Sequence, residues 1–254
     1  MAGSSKFDNL KFSLVALAMV LPSSAVAADA VLDARFGEEQ SGEPIYDTVV
    51  YWSADYSNTD EDEYGLNAGF VTALNGDLGK SGWTISANLG GSYSDGSTSD
   101  SKSYYGSLLL GYLWANPYLY FSLGAGPVFV SNNSSPSSPS DDSDVGAILQ
   151  YGIDTTKENN LYFQSYGSYA TVKDQIYLHA KAGYKTSSIS FGPEITYFDD
   201  NQSTETLRYG AFVGDISLFD RLSMTVSAGY QDESGSSDGF YATVGFSVPL
   251  SLRN

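Results

Sequence analysis

Phe240-Tyr241-Ala242-Thr243-Val244-Gly245-Phe246-Ser247-Val248-Pro249-Leu250-Ser251-Leu252 is the stretch on which the rest of the chain depends. Its even positions are Phe, Ala, Val, Phe, Val, Leu and Leu, while its odd positions are Tyr, Thr, Gly, Ser, Pro and Ser. Successive side chains of a strand point to opposite faces, so this alternation describes one apolar surface and one small or polar surface. The run exceeds the roughly five or six residues of an ordinary globular strand and suits the roughly 9 to 11 tilted residues that cross a bilayer. It predicts the closing strand of a membrane barrel.

The same pattern recurs upstream. Val50, Trp52, Ala54 and Tyr56 share one face of a first strand, and Leu66, Ala68, Phe70 and Leu74 one face of a second. From Trp83 to Tyr93, Trp83, Ile85, Ala87, Leu89 and Tyr93 alternate with Thr84, Ser86, Asn88, Gly90 and Ser92. Further strands are expected near Tyr104–Trp114, Tyr118–Val130, Val145–Ile153, Leu161–Ala170, Gln175–Tyr184, Ser188–Tyr197, Thr206–Val213 and Leu222–Tyr230. The total is about twelve, an even number as bacterial barrels require. The fold expected is all-β, a single antiparallel outer-membrane barrel. Its lumen would be too small for an open general porin.

The amino terminus supplies the address. Lys6 and Lys11 precede an apolar run from Phe12 to Leu21, then Pro22 and the small-residue sequence Ala25-Val26-Ala27. Residues 1–27 therefore read as a signal peptide, 28–46 as a periplasmic lead-in and 47–254 as the barrel. Removing Lys6, Lys11 and Asp8 leaves 10 basic against 29 acidic residues, a charge near −19. Such a chain has no basic surface for nucleic acid. It has no Cys, so stability has to come from strand pairing and burial rather than disulfides. No run of ~18 apolar residues marks a membrane helix.

A soluble β-sandwich is the competing fold, because evenly spaced alternating strands describe that class too. Strand length, the export signal and aromatics near strand ends, at Trp83, Tyr93, Tyr112, Trp114, Tyr118, Tyr184, Tyr197 and Tyr230, favour the barrel. If the amino terminus starts in the periplasm, the outward loops are Ser57–Glu63, Asp95–Ser101, Ser131–Asp144, Asp199–Thr204 and Asp232–Asp238, polar and mostly acidic. The opposite set is expected to be shorter and holds Lys80, Lys157, Lys185 and Arg221. Val172–Asp174 is too short for an outward loop, so either that hairpin is clipped or the strand count slips there.

Ala73-Leu74-Asn75-Gly76-Asp77-Leu78, with Gly82 and Gly90-Gly91, resembles the BcsS family of bacterial cellulose biosynthesis proteins. The likeness continues through Gly111-Tyr112-Leu113-Trp114, Gly192-Pro193-Glu194, Leu207 to Val213, Gly229-Tyr230 and Gly239-Phe240-Tyr241. It implies an outer-membrane barrel that serves cellulose synthesis as an accessory and brings no catalytic motif. Its implied partners are components of the cellulose synthase complex or nascent glucan, alongside outer-membrane lipid and lipopolysaccharide. An aromatic would be expected to close such a chain, where Leu252-Arg253-Asn254 stands instead.

Charged residues on polar strand faces are the candidate site. His179 and Lys181 lie opposite the face of Ile176, Leu178, Ala180 and Ala182, and Glu194 and Arg208 fall on matching faces of the next two strands. A two-residue turn at Thr186-Ser187 would set His179 directly opposite Glu194. The cluster reads as a self-satisfied charge group filling a narrow lumen, or as a constriction that orders a passing polar chain. Tyr162, Tyr166, Tyr177 and Tyr241, on polar faces, are the candidate glucan-contacting aromatics. His179 is the only histidine and has no serine partner by spacing, so no catalytic residue is assigned and an outer-membrane lipid hydrolase stands as the rival reading. A small solute channel is the other rival. Asp60-Glu61-Asp62-Glu63 and Asp141-Asp142-Ser143-Asp144 lack the spacing of a calcium loop, and no metal or cofactor is expected.

Overall fold

In the computed structural model, the described residues are 45–95, 100–135, 142–155, 160–200, 205–219, 221–235 and 237–253. The expected signal peptide, most of the lead-in and Asn254 lie outside them. Twelve strands follow in order: β1 Thr48–Asn58, β2 Asp62–Ala73, β3 Gly82–Asp95, β4 Asp100–Ala115, β5 Leu119–Ser135, β6 Asp142–Thr155, β7 Asn160–Ala170, β8 Gln175–Lys185, β9 Ser190–Asp199, β10 Glu205–Phe219, β11 Leu222–Glu233 and β12 Gly239–Leu250. Each pairs with its sequence neighbours, and β12 returns antiparallel to β1, from Asn58 opposite Phe240 to Thr48 opposite Leu250. The barrel is closed, so no sheet edge is left unpaired.

The alternation sorts the side chains as a bilayer demands. Leu66, Leu89, Leu108, Leu110, Leu149, Leu161, Ile195 and Phe240 are exposed on the outside, while Asp55, Asn67, Gln164, Lys181, Glu194, Arg208 and Gln231 are buried within. A soluble sandwich buries the first set and wets the second. This inside-out polarity rules that fold out and needs an apolar solvent around the wall.

Aromatics ring both ends. Trp83, Tyr112, Trp114 and Phe121 pack in series at the end where β1 begins and β12 ends. At the opposite end the outward tyrosines donate to carboxylates of their own hairpins: Tyr56 to Asp62 at 2.8 Å, Tyr169 to Asp174 at 2.8 Å, Tyr197 to Asp199 at 3.3 Å and Tyr230 to Asp238 at 2.8 Å. A phenol with an apolar ring and a wet hydroxyl fits a headgroup boundary.

The expected outward loops are shorter than the composition suggested. β5 runs on to Ser135 and β6 begins at Asp142, so most of the Ser131–Asp144 segment is strand rather than loop. β4 and β5 reach 16 and 17 residues, which carries polar residues beyond the apolar band in paired form. Pairing satisfies their backbone groups, which a polar composition alone does not preclude.

Two hairpins turn inward instead of outward. Between β7 and β8, Val172–Asp174 is a single 3-10 turn whose Val172 packs with Tyr105, Leu109, Val128, Val130, Ile148 and Ala170 inside the barrel. The turn is held by Thr171 N–H to Ala147 O at 2.9 Å, by Ala147 N–H to Thr171 Oγ1 at 2.9 Å and by Lys173 to Asp142 at 3.3 Å. The strand count thus holds, and this hairpin is clipped. At the other end Asn75-Gly76-Asp77-Leu78 folds under the barrel, with Gly76 at φ 80°, a conformation that favours glycine. Leu78 is fully buried with Val49, Tyr51 and Ala73, and its N–H donates to Tyr46 O at 3.0 Å. The stretch that carries the family resemblance is therefore a floor under one side of the lumen.

The seam between first and last strands is fastened by Asp47, just before β1. Its carboxylate accepts from Leu252 N–H at 3.0 Å, Arg253 N–H at 2.8 Å and the Thr48 hydroxyl at 2.8 Å. Burial by itself pushes this carboxyl up, but the three donors and the Arg253 charge together hold it below the ordinary carboxylate value. A depressed folded-state pKa contributes stability that is present above the unfolded value, near 3.8, and is lost as pH falls through the folded value. Asp47→Asn is expected to lower the urea midpoint at pH 7 by the equivalent of about 1–3 kcal/mol. The deficit should shrink below pH 4. A deficit that stays constant from pH 7 to pH 3 would show that the carboxylate charge contributes nothing.

Candidate functional site

The lumen is crossed by contacts between strands that are not neighbours. Arg208 on β10 reaches Asp55 on β1, Nη1 lying 3.1 Å from Oδ2, and Nε donates to Gln231 at 2.7 Å. Asp55 also accepts from Thr243 at 2.6 Å, and the guanidinium lies 5.1 Å from the Tyr241 ring centroid. Glu194 on β9 accepts from Tyr241 at 2.8 Å and Ser227 at 2.9 Å. Tyr162 on β7 packs on Phe212 of β10 at 5.7 Å, with Lys181 5.0 Å from the Phe212 ring centroid. Tyr51 on β1 donates to Asn88 on β3. The contacts between non-neighbouring strands join strands two or three apart, and the side chains that make them are buried on the inner face of the wall.

His179, Lys181, Glu194 and Arg208 all point inward and are buried. Their pairing differs from the expected one. Lys185 pairs with Ser190, not Ser188, so Lys181 sits opposite Glu194 and His179 opposite Thr196. The cause is a four-residue turn: Thr186 N–H donates to Ile189 O at 2.8 Å, and the Thr186 hydroxyl accepts from Ser188 and Ile189 N–H. His179 still approaches Glu194 diagonally, with Nε2 3.9 Å from Oε2, while Nδ1 lies 2.7 Å from Thr196 Oγ1. Arg208 stands in the same row, opposite Thr196. The hydroxyl that meets the imidazole is thus a threonine's; the imidazole is buried and the threonine half-buried.

The four candidate tyrosines are also inward-facing. Tyr177 is fully buried against Tyr166 and Phe198, and Tyr241 is sandwiched between Glu194 and Arg208. Tyr162 packs on Phe212 and is capped by Lys185, itself paired with Asp215 at 2.9 Å. Tyr166 differs, because it also lines an open space. That space is a cavity of about 110 Å³ in the half of the barrel where β1 begins and β12 ends, on the β3–β6 side.

Asp55, Gln231, Asn88 and Asp154 belong to this interior and are not among the site residues expected from sequence. Asp55 and Asn88 occupy the face opposite an apolar run already recognised, Asp55 between Ala54 and Tyr56, whereas Asp154 and Gln231 each stand one residue past an expected strand. The face was legible, and the partners were not. Among the described residues no group of three or more His, Cys, Asp or Glu is placed to hold a metal ion.

Comparisons with known proteins agree with this architecture. A sequence comparison with curated proteins returns no match. Among solved structures, the β domain of the Bordetella autotransporter BrkA is similar with 11% identity and a TM-score of 0.50, covering 81% of this chain and 99% of that one. A TodX monoaromatic hydrocarbon channel mutant is similar with 10% identity and a TM-score of 0.51, covering 82% and 91%. LpxR from Salmonella typhimurium aligns with 11% identity and a TM-score of 0.48, covering 79% and 100%. At these identities the likeness concerns the barrel fold alone. The family profile of cellulose biosynthesis protein BcsS matches residues 50–250, from the first strand to the last, and the chain belongs to that family.

Proposed function

We propose that this barrel is a non-enzymatic accessory of bacterial cellulose biosynthesis or export, exported by residues 1–27 and seated in the outer membrane. The observation that carries the reading is the family match over the whole barrel. The packed lumen narrows the role. With Arg208 joined to Asp55 and Val172 folded inward, binding or anchoring glucan and synthase components fits better than conducting a chain through the centre. The cluster of His179, Lys181, Glu194 and Arg208 serves in this reading as an internal brace. Of the aromatics Tyr162, Tyr166, Tyr177 and Tyr241, Tyr166 is the one that also lines the open cavity and so suits glucan contact.

Deleting the gene and measuring cellulose by dye binding tests the role. Cellulose is expected to fall several-fold and to return on complementation. Unchanged cellulose with altered uptake of small solutes would favour the channel rival, and a purely soluble periplasmic product on fractionation would sink the membrane reading. Lipid or lipid A hydrolysis by the purified protein, abolished by His179→Ala, would favour the hydrolase.

A further inference from the structure

The cavity beside Tyr166 is not explained by the brace. Its walls combine tyrosines (Tyr51, Tyr120), hydrogen-bonding groups (Ser86, Gln150) and a bare glycine floor. We propose that it is a binding site for a neutral pyranose sugar, which enters from the end of the barrel where β1 begins and β12 ends. The proposal deepens the glucan reading above and rests on it only for the source of the sugar.

The glycine floor is the first argument. Gly111 and Gly124 face each other across β4 and β5, and Gly152 stands on β6 opposite Ser122. Glycine within a strand is destabilising relative to Ala, so its presence needs a cause. At Gly124 neither usual cause applies. Its φ is not positive, and an added Cβ would come no closer than 3.5 Å to any atom, ordinary contact. The methyl would simply occupy the cavity. At Gly152 the nearest obstacle is the rotatable Ser122 hydroxyl. What the bare floor preserves is room.

The second argument is chemical. No Lys, Arg or His lines the space, and its one charged wall residue is Asp154. That carboxylate is oriented by Gln164 at 2.9 Å, and the buried Gln164 Oε1 has no hydrogen-bond partner among the described residues. A phosphorylated or acidic ligand would bring its charge into a space with no cation in its walls. A neutral sugar suits both kinds of wall, since its C–H faces stack on phenol rings and its hydroxyls reach amide, carboxylate and serine. The size is compatible, because about 110 Å³ is several times the roughly 10–15 Å³ that a single water needs.

Access is one-sided. The outward end of the cavity is closed by Leu109 and Tyr166, above which lies the layer of Tyr105, Val128, Ile148 and the inward Val172. Tyr120 and Ser122 near the start of β5, Leu113 near the end of β4 and Asp154 near the end of β6 surround the other side.

Titrating the full-length barrel in detergent with cellotetraose and, separately, chitotetraose tests this by calorimetry. At least one is expected to saturate a single site; preference for the first assigns a glucan and preference for the second an amino-sugar polymer. Gly124→Leu, which fills the floor, should weaken that binding at least tenfold while heat-modifiable gel migration stays that of the folded barrel. Gly124→Ala, which makes only ordinary contacts, should fold normally and weaken binding several-fold. Saturation by neither sugar, Gly124→Ala and Gly124→Leu barrels that bind like the parent, or equal binding of an oligouronate would each overturn the proposal. Loss of cellulose on gene deletion without sugar binding in vitro would sink this site and leave the accessory role standing; binding without any effect of deletion on cellulose would do the reverse.

Discussion

Arg208→Met is expected to cost the barrel about 3–5 kcal/mol, the loss that follows when one partner of a buried ion pair is removed. The guanidinium joins β10 to β1 across the lumen through Asp55, with β11 and β12 between them, and steadies Gln231 on the way. Without it, the Asp55 carboxylate keeps the Thr243 hydroxyl but loses its cation in a place that water reaches poorly. Urea unfolding of the barrel reconstituted in vesicles, followed by gel migration, measures the cost. Asp55→Leu combined with Arg208→Met should recover most of it, because a buried pair replaced by apolar groups is often close to neutral. If the double variant lost the sum of the two single losses, the two side chains would be acting independently and the brace would not exist.

That cross-lumen contact marks where sequence reading stopped. The faces of the strands were legible because period-two alternation is local, and Arg208, His179, Lys181 and Glu194 were placed on the inner wall from it alone. Partners were not, for two reasons. Hairpin register depends on the turn, and Thr186 closes a four-residue turn with its own hydroxyl where the sequence alone suggests two residues. The resulting shift is two residues, so every side chain kept its face while every partner changed. Contacts across a closed barrel leave no periodic trace at all: Asp55 and Arg208 lie 153 residues apart. The inward hairpins were hidden for a related reason. A short turn at Val172 and a glycine-bearing turn at Asn75 to Leu78 both announce a reversal of direction, yet whether the apex folds in or out is decided by one apolar residue, Val172 or Leu78, finding a buried site.

Tyr177→Ala should prove as costly as the loss of the ion pair, for a different reason. Its ring is fully enclosed, 5.9 Å from that of Tyr166 and against Phe198, so truncation leaves an internal void. Large aromatic-to-alanine changes in packed interiors cost about 3–5 kcal/mol, whereas Tyr177→Phe, which removes only the hydroxyl, should cost about 0.5–1.5 kcal/mol. The contrast with Tyr120, half-buried at the sugar cavity, separates filling from binding. Tyr177→Ala is expected to lower the amount of folded barrel in the membrane, with cellulose output falling in proportion to it. Tyr120→Ala should leave barrel abundance near the parent level and lower output at constant abundance. If Tyr177→Ala folded to parental levels and still reduced cellulose, its ring would be meeting glucan rather than holding the lumen together, and the cavity would have to extend to it.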